Sequence, residues 1–178
     1  MAFMSEFPDM RMQDVSLRDG DHGDAAAIAD LYAHYVLTTP VSMETEAVPA
    51  GEIARRMAEV QALGLPWLVM EREGELAGWA YASKWRARPG YRHAVETTVY
   101  LAPASCGRGL GAVLYGALLA RLRGRFHCAI GGIALPNQAS VALHERMGFR
   151  KVAHFEEVGQ KFGEWIDVGY WQLLLPAN

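Results

Sequence analysis

The chain has little of what marks a secreted, metal-binding or membrane-spanning protein. Its 178 residues include only two cysteines, Cys106 and Cys128, with no CxxC pair and no metal-ligand spacing. This usage indicates reduced thiols and no bound metal. No apolar run approaches the ~18 residues of a membrane-spanning helix, and the first residues lack the apolar core of a secretory signal. We therefore expect a cytoplasmic protein.

The chain also lacks a strong charge of either sign. Its formal net charge is -3, which gives no reason to expect a nucleic acid or an anionic membrane as partner. Half of the residues are hydrophobic (51%) and 21% are charged, as in globular proteins. Repeats, linkers and low-complexity segments are missing. We expect a single domain over residues 1–178, with residues 1–12 as a flexible tail.

Hydrophobic periodicity predicts eleven secondary-structure elements. A first strand at VSLR precedes two helices, the second of which ends near Gly64, and a hairpin follows. The run AVETTVYL predicts a strand, a glycine-rich turn then leads into a helix ending near Arg123, and FHCAIGGIAL predicts the next strand. A helix that ends at Gly148 and two strands complete the chain. The order β-α-α-β-β-β-α-β-α-β-β predicts a mixed α/β fold.

The glycine-rich turn, within PASCGRGLGAVLYGALLARL, is the most informative stretch. The first N–H groups of a helix have no intrahelical partner, and the helix dipole adds partial positive charge there. Glycines let an anion approach such a backbone closely. The turn therefore predicts a diphosphate-binding cradle, with a plain strand-to-helix turn as the alternative. The residues of the cradle are Gly107, Arg108, Gly109, Leu110, Gly111 and Ala112.

Two common phosphate-binding motifs are excluded by what surrounds this turn. A Walker A loop needs Gly-Lys-Ser/Thr, which the chain does not contain. Gly107, Gly109 and Ala112 match the dinucleotide pattern G-x-G-x-x-G/A, but that pattern requires an acidic residue about twenty positions later. No Asp or Glu occurs between Ala112 and Gln138. The remaining candidate is coenzyme A.

The same residues resemble the GNAT acetyltransferases. CGRGLG is similar to their pyrophosphate loop, Gln/Arg-x-x-Gly-x-Gly/Ala, with Gly109 and Gly111 in register and Cys106 in place of Gln or Arg. Asn137, Ser140 and His144 resemble the Asn-x-x-Ala/Ser-x-x-x-Tyr helix beside the pantetheine arm. From Val15 to Leu175 the chain resembles the phosphinothricin and methionine-sulfoximine N-acetyltransferase branch, in stretches such as PWLVMEREGELAGWAYASKWRARPGYRHAVETTVY, ALPNQASVALHERMGF and VGQKFGEWIDVGYWQL.

This resemblance implies a fold, a co-substrate and partners. The GNAT fold is α/β (mixed α+β), with a central, mostly antiparallel sheet, one splayed parallel strand pair and flanking helices. Acetyl-CoA is the implied co-substrate, without a metal, and its pantetheine arm is expected to bind the backbone of Val99, Tyr100 and Leu101 and to contact Asn137. An amide in that strand would polarise the thioester carbonyl. A homodimer that acts on a small-molecule amine is also implied.

Glu96 is the candidate general base. Alternation along AVETTVYL places it on one face of the strand with Thr98 and Tyr100. Glutamate is disfavoured inside a strand by propensity and by burial, and an amine must lose a proton before it can attack a thioester. The position of Glu96 also matches the base of the resembled family. A structural ion pair with Arg88 or Arg92 is the alternative.

His144 stands where many relatives carry tyrosine. A departing thiolate benefits from a proton donor, and histidine titrates near neutral pH. His144 is therefore a second candidate catalytic residue. A partly buried helix histidine held by a hydrogen bond is an equally good interpretation, and the sequence does not choose between the two.

The loop RARPGYRH precedes the Glu96 strand and supplies candidate acceptor-binding residues. Guanidinium groups recognise a carboxylate or phosphinate in bidentate fashion, and a phenol adds one hydrogen bond. Arg86, Arg88 and Tyr91 are assigned this role, with Thr98 on the face of Glu96. Arg88 and Tyr91 match the anion-binding positions of the resembled family. A solvated basic loop is the alternative.

The resemblance and these residues together predict an N-acetyltransferase. It would transfer acetyl from acetyl-CoA to the α-amine of an amino-acid analogue such as phosphinothricin, methionine sulfoximine or methionine sulfone, which implies herbicide or antibiotic resistance. One alternative is another acceptor: a polyamine, an antibiotic amine or a protein N-terminus. A basic acceptor loop disfavours polyamines. A non-catalytic acyl-CoA-binding domain is the second alternative.

Overall fold

Seven strands and four α-helices occupy residues 15–176, the part of the chain that the computed structural model describes. The expected tail, residues 1–12, lies outside this range. The elements follow the predicted order. They are β1 (Val15–Asp19), α1 (Ala25–Thr38), α2 (Ala50–Ala62), β2 (Trp67–Arg72), β3 (Glu75–Lys84), β4 (Ala94–Leu101), α3 (Leu110–Leu122), β5 (Cys128–Leu135), α4 (Gln138–Arg146), β6 (Arg150–Lys161) and β7 (Glu164–Leu174).

All seven described strands form one sheet in the order β1-β2-β3-β4-β5-β7-β6. The central pair, β4 and β5, is parallel, and the other neighbouring pairs are antiparallel. β4 and β5 pair only from Ala94↔Cys128 to Glu96↔Ile130, and beyond Glu96 the two strands separate. The expected GNAT fold, a mostly antiparallel sheet with a splayed parallel pair, is confirmed.

The helices cover the two faces of the sheet because each buries one apolar stripe. The stripe of α3 contains Leu114 and Leu118, both fully buried, and burial of one such side chain contributes about 1.5–3 kcal/mol. α1 and α2 bury Ile28 and Met57 in the same core cluster. No helix within residues 15–176 has both the length and the apolarity to span a membrane.

Alternation along β4 divides its side chains between these two layers. On the α3 side, the Thr97 hydroxyl is 2.7 Å from the Tyr115 hydroxyl. On the α1 side, the Tyr100 ring packs against Tyr32, with 5.2 Å between ring centroids. Glu96 shares the side of Tyr100, so its carboxylate faces the layer of α1 and α2.

The β6–β7 hairpin forms the sheet edge, and its aromatic residues have different environments. Trp171 is buried in the core, whereas Trp165 is 59% exposed. Tyr170 is half-buried and packs edge-on against Trp85. The hairpin also exposes several large apolar side chains: Val152, Phe155, Val158 and Phe162.

Candidate active site

The glycine turn forms an open cradle of backbone N–H groups at the start of α3. Gly107 and Gly109 adopt φ angles of 72° and 78°, in the left-handed region that favours glycine. Within the described part of the chain, the amide groups of residues 107–111 donate no hydrogen bond. Unpaired amides at a helix N-terminus are suited to bind an anion.

The side chains around this cradle differ in what they can contribute. Arg108 is exposed, and its Nε lies 3.1 Å from the carbonyl oxygen of Ala104. Leu110 is buried in the core, so only its backbone can reach a ligand. A Cβ added to Gly111 would lie 3.3 Å from Leu143 Cδ2, so this glycine allows α3 to approach α4 closely. The thiol of Cys106, at the first loop position, lies 3.6 Å from the carbonyl oxygen of Ala102.

A cavity of about 560 Å³ leads from this cradle into the opening between β4 and β5. It collects most of the predicted coenzyme-binding residues and Thr98. It also contains residues that sequence reasoning missed, among them Tyr35, whose hydroxyl donates a hydrogen bond to the Leu101 carbonyl at 2.6 Å. The predicted residues that line it are Thr98, Val99, Tyr100, Leu101, Gly107, Gly109, Gly111, Ala112, Asn137 and His144.

Two consecutive glycines of β5 lie at the closed end of this opening. A Cβ on Gly131 would collide with Nε2 of His144, so the imidazole occupies the space that a side chain would take. A Cβ on Gly132 would lie 3.2 Å from the Tyr170 ring and 3.6 Å from Oε1 of Glu96. Successive positions of a strand face opposite sides. Glu96 and His144 therefore lie on opposite faces of the sheet, Glu96 beside Gly132 and His144 beside Gly131.

The Glu96 environment suits a general base. Burial raises the pKa of its carboxyl above the ordinary value, and the positive charge of Arg86 opposes this shift. Among residues 15–176, Glu96 forms no ion pair with Arg88 or Arg92, so the structural alternative has no support here. A carboxylate with a raised pKa accepts a proton more readily near neutral pH.

The His144 environment favours a structural role over a proton donor. Its Nδ1 lies 2.8 Å from the carbonyl oxygen of Ser140, which can only accept, so Nδ1 carries the hydrogen. Its ring packs edge-on against Tyr115 and Phe149. Burial lowers the pKa of His144, with the Ser140 hydrogen bond opposing. A neutral ring in this tautomer has a lone pair on Nε2 and no second proton to give.

The predicted residues of the acceptor loop lie outside the lining of the cavity. The Arg86 guanidinium lies over the Trp85 ring at 4.0 Å, close enough to Glu96 to influence its pKa. Arg88 precedes a short 3₁₀ turn, Pro89–Tyr91, and is exposed, as is Tyr91 at 45%. Neither lines the cavity.

The sequence did not predict two further contacts at the closed end of the opening, where β4 and β5 stop pairing. Thr97 Oγ1 lies 3.2 Å from the Ile130 carbonyl and bridges the strands where their pairing ends. Tyr170 shares the face of Glu96 beside Gly132. Adjacent glycines inside a strand indicate a close approach, so Gly131 and Gly132 were the available signal.

An amide cradle, an opened strand pair and a half-buried carboxylate together define a transferase that takes an acyl group from a diphosphate-containing carrier.

Known proteins share this arrangement. A family model for the acetyltransferase (GNAT) domain matches residues 17–169. A phosphinothricin N-acetyltransferase from Streptomyces coelicolor is 40% identical over 174 residues, covering 89% of this chain and 95% of its own. An L-methionine sulfoximine/L-methionine sulfone acetyltransferase from Salmonella typhimurium is 38% identical over 166 residues, covering 92% and 96%. The chain therefore belongs to the GNAT acetyltransferase family.

A solved structure agrees with this assignment. An acetyltransferase from Salmonella typhimurium, determined with its cofactor acetyl-CoA, superposes with a TM-score of 0.88 at 36% identity, covering 93% of this chain and 96% of its own. The expected class, an acetyl-CoA-dependent N-acetyltransferase, is confirmed. The cradle at residues 107–111 and the opening beside β4 fit the diphosphate and the extended arm of that co-substrate. No group of three or more His, Cys, Asp or Glu side chains in the described range could hold a metal ion.

Proposed function

We propose that this enzyme acetylates the α-amine of a small amino-acid analogue of the phosphinothricin, methionine sulfoximine or methionine sulfone type. The observation that supports it best is the half-buried Glu96 carboxylate, which has no ion-pair partner among the described residues and lies where β4 and β5 separate. The activities named for the similar enzymes support the choice of acceptor.

In this proposal each part of the site has one task. The amides of residues 107–111 hold the diphosphate, and the unpaired edge of Val99, Tyr100 and Leu101 holds the extended arm. Acetyl-CoA supplies the activated acetyl group. Glu96 takes a proton from the amine, directly or through a water, so that nitrogen attacks the carbonyl carbon. The N–C bond forms, the C–S bond breaks, and sulfur leaves as a thiolate.

Arg86, Arg88, Tyr91 and Thr98 are proposed to bind the anionic end of the acceptor. The charge of Arg86 already acts on Glu96, which supports its place beside the reacting amine. Asn137 is proposed to contact the coenzyme arm from α4. The implied homodimer stays a prediction, which sedimentation equilibrium of the purified protein would check.

An acceptor screen tests the proposal. Thiol release from acetyl-CoA is measured with phosphinothricin, methionine sulfoximine, methionine sulfone, spermidine, an aminoglycoside and an N-terminal peptide. We expect the highest kcat/KM with one of the amino-acid analogues. A higher kcat/KM with spermidine, the aminoglycoside or the peptide would contradict the proposed acceptor, and no turnover with any amine would favour a non-catalytic acyl-CoA-binding domain.

Replacing Arg88 with alanine tests the acceptor loop. A hydrogen bond to a charged group contributes about 1.5–3 kcal/mol, so the KM for the acceptor should rise about tenfold or more. The KM for acetyl-CoA should change by less than about twofold, because Arg88 lies outside the cavity that leads to the cradle. Arg92→Ala is the matched control, since Arg92 lies in the same loop and its Nη1 donates a hydrogen bond to the Pro89 carbonyl at 3.4 Å. Equal changes in both KM values would contradict this role.

Replacing His144 with phenylalanine tests whether this residue donates a proton. Because its N–H already binds the Ser140 carbonyl, we expect kcat to fall by less than about tenfold, below the ~10²–10⁴ typical of an acid or base. Steady-state kcat between pH 6 and 9 is the measurement. A loss of more than about a hundredfold, together with the disappearance of an alkaline limb, would restore His144 as the donor.

A further inference from the structure

Lys161 is a buried lysine that the proposed mechanism does not use. It ends β6, yet it is only 4% exposed, and lysine is almost never buried without a partner. Its Nζ donates a hydrogen bond to the Ser42 carbonyl oxygen at 2.5 Å, across 119 residues of sequence. Burial lowers the pKa of Lys161, and the nearby Glu44 opposes this shift. Burial of an ammonium group costs free energy, which indicates that the hydrogen bond between Lys161 and Ser42 serves a function.

Ser42 is also held from the opposite side of the sheet opening. Its hydroxyl lies 2.7 Å from the Tyr32 hydroxyl of α1 and accepts from the Glu44 amide at 3.2 Å. The Tyr32 ring packs in turn against the Tyr100 ring of β4, with 5.2 Å between ring centroids. Ser42 is therefore bound through its side chain to α1, which packs against β4, and through its carbonyl to β6.

Neighbouring residues extend this attachment. A Cβ on Gly159 of β6 would collide with Cε of Met43, so this glycine makes room for the methionine. Gly159 pairs with Ile166, four residues before Tyr170 on β7, so Met43 lies on the same face of the sheet as Tyr170. Glu44 Oε1 accepts a hydrogen bond from Arg56 Nη1 of α2 at 2.8 Å.

Residues Val41–Glu44, the bridge segment, thus connect the two halves of the sheet that separate beyond Glu96. β4 lies on one side of the opening, and β6 lies on the other with β5 and β7 between them. Val41 lines the cavity. The segment crosses on the face where Tyr100, Glu96 and Tyr170 lie. The segment therefore lies on the face of the sheet that carries the Glu96 carboxylate, beside the cavity.

We propose that Lys161 is a positioning residue that anchors the bridge segment, and that the segment is the wall that sets acceptor affinity. This inference rests on the proposed use of the Glu96 face by the acceptor. Removal of the ammonium group frees the Ser42 carbonyl from β6 while the attachments to α1 and α2 stay. The bridge segment then becomes mobile only on the side that faces β6.

The test replaces Lys161 with methionine, which keeps the length and apolarity of the side chain. Lys151→Met is the matched control, because Lys151 is an exposed lysine on the same strand. We expect the acceptor KM of Lys161→Met to rise about tenfold, as for loss of one charged hydrogen bond, while kcat and the KM for acetyl-CoA change by less than about twofold. A purely structural lysine would lower stability without separating the two KM values.

Gly159→Ala is a second variant that leaves Lys161 in place. Its new methyl group displaces only the flexible end of Met43, and the variant is expected to change the acceptor KM and not the KM for acetyl-CoA. Acceptor KM values that stay unchanged in both variants, or that change together with the KM for acetyl-CoA, would overturn the role of the segment as a wall.

Hydrogen–deuterium exchange tests the anchor without reference to the acceptor. Peptides that cover residues 39–48 should exchange faster in Lys161→Met than in the wild type or in Lys151→Met, and unchanged exchange would overturn the anchor. If the wild type acetylates other amines but no amino-acid analogue, the proposed acceptor is wrong. The KM comparison is then made with the amine that is used, so the two proposals fail separately.

Discussion

Replacing Glu96 with glutamine is expected to lower kcat by at least tenfold at pH 7, and by ~10²–10⁴ if the full contribution of a positioned base is lost, and to leave acetyl-CoA affinity unchanged. Glutamine keeps the size of the side chain but cannot accept the amine proton. The carboxylate lies beside Gly132 of β5, whereas the cradle of residues 107–111 lies at the start of α3. Steady-state kinetics and calorimetric titration with acetyl-CoA measure the two quantities.

The pH dependence of this variant provides a second test of Glu96 as the base. Because folding raises the pKa of Glu96, kcat/KM of the wild type should rise with pH through a value above that of an ordinary carboxyl group. The glutamine variant should lack this rise in kcat/KM. Titration of the acceptor amine also affects kcat/KM, but it does so equally in both enzymes. Glu75→Gln, at an exposed position of β3, is the control. Unchanged turnover in Glu96→Gln would remove Glu96 from the mechanism.

The sign of the stability effect follows from the same shift. A carboxyl whose pKa is raised on folding binds its proton more tightly in the folded state, so its contribution to stability is lost as pH rises through that pKa. Once ionised, the half-buried Glu96 carboxylate therefore destabilises the fold relative to its protonated form. We expect Tm of the glutamine variant at pH 7 to equal or exceed that of the wild type. This result would separate a catalytic loss from unfolding.

Replacing Gly109 with valine should have the largest effect on acetyl-CoA binding. Gly109 has φ of 78°, a conformation that is a genuine outlier for a β-branched residue. The turn must then change shape, and amides of the cradle turn away from the diphosphate. Each lost hydrogen bond to a charged group costs about 1.5–3 kcal/mol, so loss of two should weaken acetyl-CoA binding by about a hundredfold or more.

Calorimetric titration with acetyl-CoA is the measurement, with circular dichroism to check folding. Gly116→Ala is the control, since a Cβ on Gly116, further along α3, would meet nothing within 4 Å. The affinity of this control should match the wild type. A folded Gly109→Val protein that binds acetyl-CoA as tightly as the wild type would show that the cradle does not hold the diphosphate.

The order of the elements and the cradle could be predicted because both depend on local patterns. The apolar stripe of α3 and the alternation in β4 indicate their own secondary structure. Glycine permits the positive φ angles that Gly107 and Gly109 adopt in the structure. Family resemblance added the splayed strand pair, which no local pattern encodes, because it depends on which strands are neighbours.

The exposure of the predicted acceptor loop and the tautomer of His144 could not be predicted from the sequence. Arg88 and Tyr91 have the right chemistry and sequence position, but their distance from the cavity depends on how the loop between β3 and β4 leaves the sheet. The role of His144 depends on whether Nδ1 binds a carbonyl oxygen or faces a ligand. Neither orientation has a sequence signature, because both are set by packing against residues far along the chain.

The sequence by itself determined the helices, the strands, the amide cradle at Gly107–Gly111 and the carboxylate of Glu96, since each follows from a few consecutive side chains and their backbone preferences. Only the tertiary structure decided what lies beside them. It placed Gly132 and Tyr170 next to Glu96, put His144 on the opposite face, and joined Lys161 to Ser42. These contacts arise when the sheet assembles, and only then do burial and charge act between residues that the sequence keeps apart.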